Sequence, residues 1–203
     1  MPRSYPVQPP GFAVVPPGQL VSAVTCVEMR ARPALGPPQE RAGLSLPRLV
    51  TPDLGLYRDL VRAVGEDWLW SSRHEASDEA LRALAHDPLV EIYALQDGDE
   101  RIGLIELDFR QPGECEIVLF GLVEGAIGRG LGRYMMQRLL AIAWSHPIER
   151  LWLHTSHLDH PGALAFYQRS GFRPFAFWIE VFDDPRLMGI FPRTAAPHVP
   201  LID

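Results

Sequence analysis

The chain has 203 residues, a formal charge of −6, 47% apolar residues and 22% charged ones. That length suits one domain with extensions, and the acidic balance argues against a nucleic-acid partner, since proteins that neutralise phosphate backbones carry a basic excess. No apolar run approaches the roughly 20 residues that span a bilayer, and the N-terminal stretch lacks the apolar region of a secretory signal, so a cytoplasmic protein with no membrane partner is expected.

Residues 1–19 hold Pro2, Pro6, Pro9, Pro10, Pro16 and Pro17, which deny donors to a ladder and keep an arm extended. From Leu20 to Arg30 the β-branched run reads as a strand. Pro33, Gly36, Pro37 and Pro38 mark a turn, and Leu44 to Val50 reads as a second short strand. Leu54 to Trp70 repeats apolar residues at three- and four-residue steps, which predicts a helix. Ser77 is a candidate N-cap for a helix through Ala85, ended by Asp87-Pro88.

Three strand-like runs follow, Val90 to Gln96, Arg101 to Phe109 and Glu116 to Val123, at hairpin separations. A helix from Leu131 to Ser145, a strand from Leu151 to Thr155, a short helix from Pro161 to Arg169 and a strand from Phe175 to Phe182 complete the order. The division expected is a proline-rich arm over 1–19, one mixed α/β domain over 20–190 and a tail over 191–203. Cys26 and Cys115 show no disulfide or metal spacing and read as buried thiols in a reducing compartment.

The chemistry concentrates in Gly128-Arg129-Gly130-Leu131-Gly132-Arg133, between a strand and an amphipathic helix. Alternate glycines remove Cβ atoms and permit positive φ, and the first N–H groups of a helix have no internal partner, so they are available to an anion. Arg129 and Arg133 add candidate phosphate contacts. A Walker A loop would need Gly-Lys-Ser/Thr, which is absent. A dinucleotide fingerprint would need a third glycine where Arg133 or Met135 stands.

This turn resembles that of the GNAT superfamily of acyl-CoA N-acyltransferases, which runs Gln/Arg-x-x-Gly-x-Gly/Ala; Ile127 departs from the first position. A second element agrees: His160, Ala163, Tyr167, Gly171 and Phe172 follow the family's Asn-x-x-Ala-x-x-x-Tyr-x-x-x-Gly-Phe, with His160 replacing Asn. The chain is also similar to a bacterial subgroup that carries an FGL, GRGLG, HT and LDHP string.

The resemblance covers about residues 54–182 and implies a mostly antiparallel central sheet flanked by helices, with acetyl-CoA as cofactor. The acceptor it implies is a primary amine, on a small molecule or a peptide, with homodimers frequent. Cofactor contacts by resemblance are the amides of Leu122 and Val123, the turn with Leu131 and Tyr134, and His160, Ala163 and Phe166. Tyr167 is the implied acid toward the thiolate, and Glu116, or Glu106 on the neighbouring strand, the implied base. Trp68, Trp70 and Arg73 would edge the acceptor pocket.

His154, His157, Asp159 and His160 do not converge at a spacing that suits zinc, so no metal is expected; Pro161 is expected at the first position of the helix after His160. A CoA-binding module without turnover, or a nucleotide-dependent enzyme using the same turn, are the alternatives.

Overall fold

The computed structural model describes residues 5–34 and 40–203; Pro2, Gly36, Pro37 and Pro38 of the sequence reading lie outside them. In chain order the elements are β1 (Gln19–Met29), β2 (Leu44–Ser45), α1 (Leu54–Gly65), α2 (Ser72–Glu75), α3 (Asp78–Ala85), β3 (Val90–Asp97), β4 (Glu100–Asp108) and β5 (Glu114–Leu122). There follow α4 (Leu131–Ala143), β6 (Arg150–Ser156), α5 (Ala163–Arg169) and β7 (Arg173–Asp183). The mixed α/β class with a mostly antiparallel sheet is as expected.

One seven-stranded sheet runs β2-β3-β4-β5-β6-β1-β7, antiparallel throughout except for β5 and β6. Strand β1 enters between β6 and β7, pairing Cys26 with His154 on one side and with Ala176 on the other. Helices α4 and α5 cover one face, where Met135, Leu139, Leu151, Leu153 and Phe172 are buried together. Helices α1 and α3 cover the other through Tyr57, Val61, Leu81, Leu104 and Leu119. Each such aliphatic side chain contributes roughly 1.5–3 kcal/mol by leaving water. No helix among the described residues is long and apolar enough to cross a membrane.

Local chemistry sets most boundaries. Asp53 accepts from the Leu56 amide at 3.0 Å and Ser77 from the Ala80 amide at 3.2 Å, which caps α1 and α3. The helix expected to reach Trp70 stops at Gly65; a 3₁₀ turn spans Glu66–Trp68 and Leu69 takes a left-handed φ of 59°. The reversal lays the Trp70 ring against Gly65, where a Cβ would stand 2.8 Å from it.

The second strand is also shorter than expected. Only Leu44–Ser45 pairs, with a lone bridge from Arg48 to Tyr93, because Pro47 has no N–H to donate.

The segment after β7 packs into the body. Arg186 is 3% exposed and donates to both Asp184 oxygens and to the carbonyls of Ala195, Ala196, Val199 and Pro200. Phe191, Ala196 and Val199 thereby bury against Leu69 and Leu158. At the other terminus, the Tyr5 ring lies 5.1 Å from that of Trp178.

Candidate active site

Strands β5 and β6 pair over only three positions, Glu114 to Glu116 against Arg150 to Trp152, and then diverge although both continue. The opening belongs to a cavity of about 920 Å³ that runs from Gly128, Gly130 and Gly132 past Phe166 and Tyr167 to His154, Glu180 and Phe182. Its size is that of a small-molecule site.

At the mouth, Gly128 has φ +81° and Gly130 has φ +74°, the latter as the N-cap of α4 with no side-chain cap bond. The helix N-terminus is therefore left for an external acceptor of hydrogen bonds. A Cβ on Gly132 would only touch Phe166 at 3.7 Å, so this third glycine is not required sterically. Arg133 lines the cavity. Arg129 turns aside to Asp97 at 3.1 Å.

Leu131 and Tyr134 are buried at 3% exposure each and sit in the core, so they present backbone rather than side chains. Arg41 was not foreseen: its guanidinium lies 3.5 Å from where a Gly130 Cβ would be, and it donates to the Arg129 carbonyl at 3.4 Å. Nothing in the sequence links positions 88 residues apart.

The throat lies between the diverging strands. Val123 donates its amide to the Ile102 carbonyl at 3.0 Å, which corrects the expectation that this amide is available to a thioester. Antiparallel ladders alternate between hydrogen-bonded and non-bonded pairs. With Gly103 opposite Leu122 and Ile105 opposite Phe120, the amides of Leu122 and Phe120 point away from β4 into the opening. Leu122, His160, Ala163 and Phe166 all line the cavity, and Phe166 stacks on Phe120 at 5.7 Å.

Tyr167 is 8% exposed, and its ring meets Phe166 and Phe172 edge-on. Burial, aided by the charge of Asp159, raises its phenol well above the usual tyrosine range, so it stays protonated. His160 uses Nδ1 to accept the Gly162 amide at 3.0 Å. That turn delays the helix to Ala163, with Gly162 as its N-cap; Pro161 precedes the helix instead of opening it.

Trp68 and Trp70 line the cavity. Trp68 meets His160 edge-on at 5.6 Å. Arg73 does not line the cavity; Ser71 and Ser72 do. The Arg73 guanidinium reaches Glu106 at 2.5 and 3.2 Å, and the Tyr57 hydroxyl donates to the same carboxylate. Burial, then the charges of Asp108 and Glu116, push Glu106 up to about 8, with Arg110 opposing. Against this the two bonds from Arg73 hold the anion, and the triad is a clamp between α1, α2 and β4.

Glu116 does not line the cavity either. Its carboxylate lies 3.8 Å from His154 Nε2, and His154 is on the wall. His157 accepts the Ala23 amide at 3.1 Å, so the histidines of this stretch serve separate partners.

A model described as the acetyltransferase (GNAT) family matches residues 57–172, more than half of the chain. The chain belongs to the GNAT acetyltransferase family.

Among its relatives, the mycothiol acetyltransferase of Beutenbergia cavernae is 32% identical over 120 residues, 58% of this chain and 34% of that protein. The chain thus spans about a third of that relative's length. A GCN5-related N-acetyltransferase from Sphaerobacter thermophilus superposes with a TM-score of 0.62 at 15% identity, over 80% of this chain and 52% of that one. A conserved protein of unknown function from Staphylococcus epidermidis does so with 0.59 at 13%, over 82% and 63%. These two structures share the GNAT fold.

Proposed function

We propose that this GNAT domain transfers an acetyl group from acetyl-CoA to a primary amine. The observation that carries the reading is one continuous cavity joining an uncapped helix N-terminus, a strand opening with two inward amides, and a buried phenol. These features fit the cofactor in turn. Amides of the Gly128–Gly132 turn, with Arg41 and Arg133, would hold the pyrophosphate; the amides of Phe120 and Leu122 would hold the acyl arm.

Acetyl-CoA supplies an activated thioester. Oriented amides in the opening stabilise charge developing on its carbonyl oxygen. Tyr167, protonated at neutral pH, donates toward the departing sulfur, whose acidity resembles that of a thiol near pKa ~8.5. An alkylamine of pKa about 10.4 must lose a proton before it attacks, and His154, on the wall with Glu116 behind it, takes that proton. The free, buried thiols of Cys26 and Cys115 suit a reducing cytoplasm.

Calorimetric titration with CoA tests the cofactor half directly. Binding that weakens at least tenfold in Arg133→Ala supports it; a wild-type protein that takes up no CoA removes it.

A further inference from the structure

The cavity wall is electrically divided. Among the described residues, its arginines are Arg133 of α4 and Arg169 of α5. Among the same residues, its carboxylates are Asp159, from the loop after β6, and Glu180, from β7. Asp159 is already committed, accepting from Trp70 Nε1 at 2.9 Å, Thr155 Oγ1 at 2.8 Å and the Ser156 amide at 2.7 Å. Glu180 has no hydrogen-bond or ion-pair partner among the described residues.

Glu180 sits opposite Ser22 on β1, two positions from Trp178 and Phe182. Because strand side chains alternate, it shares a face with Val24, Ser156 and Phe182, away from α4 and α5. The wall around it combines an apolar part, Val24, Trp68, Leu69, Trp70, Leu158 and Phe182, with the hydroxyl side chains of Ser22, directly opposite, and Ser156 on the same face. Leu69, Leu158 and Phe182 are backed by the C-terminal segment through Ile190, Phe191 and Val199, which makes this a built wall and not a loose loop surface. A carboxylate without a partner, at the exposed edge of a wall that is largely aromatic and aliphatic, suits a cation with an apolar body, which Trp68, Trp70 and Phe182 receive by burial. A sugar-like body carries more hydroxyls than Ser22 and Ser156 can satisfy.

We infer that the acceptor is a small primary amine with an aromatic or branched aliphatic body, its ammonium first received by Glu180, four strand positions from the level of His154, before the amine moves along the cavity to be deprotonated there. This rests on the proposed acetyl transfer and narrows its substrate class.

The test uses three probes on the full chain, with and without saturating CoA: 2-phenylethylamine, its neutral counterpart 2-phenylethanol, and the polar-bodied amine glucosamine. Calorimetry should show 2-phenylethylamine binding about tenfold tighter than either, the scale of one charge-assisted contact. Glu180→Gln, at an exposed position, should abolish the advantage over 2-phenylethanol and leave CoA affinity unchanged. Equal binding of the three probes, preference for glucosamine, no binding at all, or an advantage that survives Glu180→Gln would each overturn the inference. Should CoA itself fail to bind, the cofactor reading falls, and the titration of the CoA-free protein still decides the role of Glu180.

Discussion

Trp70 donates its indole N–H to Asp159 at 2.9 Å, joining the loop after α1 to the loop after β6 across 89 residues. The same ring closes over Gly121, where a Cβ would meet it at 3.1 Å. This one side chain therefore ties both loops to the end of β5 that borders the opening.

Asp159→Ala leaves the Trp70 indole and the Ser156 amide without their acceptor. A loss of roughly 1–3 kcal/mol in unfolding free energy is expected, the scale of an unsatisfied polar group. Urea denaturation measures the loss, and faster amide exchange at 68–72 and 156–160 would place it in the two loops. Unchanged exchange there would mean that the bond does not hold the wall.

The glycines of the turn should differ in tolerance. Gly130→Ala places a Cβ at φ +74°, next to Arg41, and about 1–2 kcal/mol of left-handed strain follows. Gly132→Ala makes only ordinary contact with Phe166 at 3.7 Å. CoA titration should show weaker binding for the first variant and near wild-type binding for the second; the reverse order would move the cofactor off this turn.

Tyr167→Phe keeps the ring packing against Phe166 and Phe172 and removes the proton. Thiol release from acetyl-CoA in the presence of an accepted amine should fall by about 10²-fold or more, the usual contribution of a positioned acid, with CoA affinity retained. An unaltered rate would assign Tyr167 to packing alone.

Asp184 sets an acid limit on the C-terminal segment. Burial would raise its carboxyl, but the side-chain and backbone bonds and the charge of Arg186 more than offset this and hold it below the ordinary value of 3.8. A depressed native pKa contributes stability that is complete above the unfolded value and fades as pH falls through the native one. The segment 191–203 should thus resist proteolysis near neutrality and loosen only below about pH 4. Arg186→Met leaves a buried carboxylate unpaired, which costs about 3–5 kcal/mol, and should release the segment at pH 7. Continued protection in that variant would show that apolar packing of Phe191 and Val199 suffices.

The elements legible in the sequence are those whose determinants lie within a few residues. Ser77 caps α3 because its hydroxyl reaches an amide three residues on, and Gly128 and Gly130 adopt positive φ because they lack Cβ. The hairpins of β3 to β5 follow from alternation and Asp97-Gly98. The glycine turn and the Tyr167 helix were visible for the same reason, as was the family they indicate.

What only the tertiary structure decided involves partners far apart in the chain. Strand β1 reads as a strand from its own residues, yet its place between β6 and β7 depends on which edges the rest of the sheet leaves open. Periodicity carried α1 on to Trp70, whereas the ring of Trp70 needed the space beside Gly65 and ended the helix. Arg73 looked available on a helix end until Glu106 arrived from β4, and Arg41 reached the turn from a loop with no motif. A charged side chain's role is set by the charge that folding brings beside it, and local spacing carries no record of that neighbour.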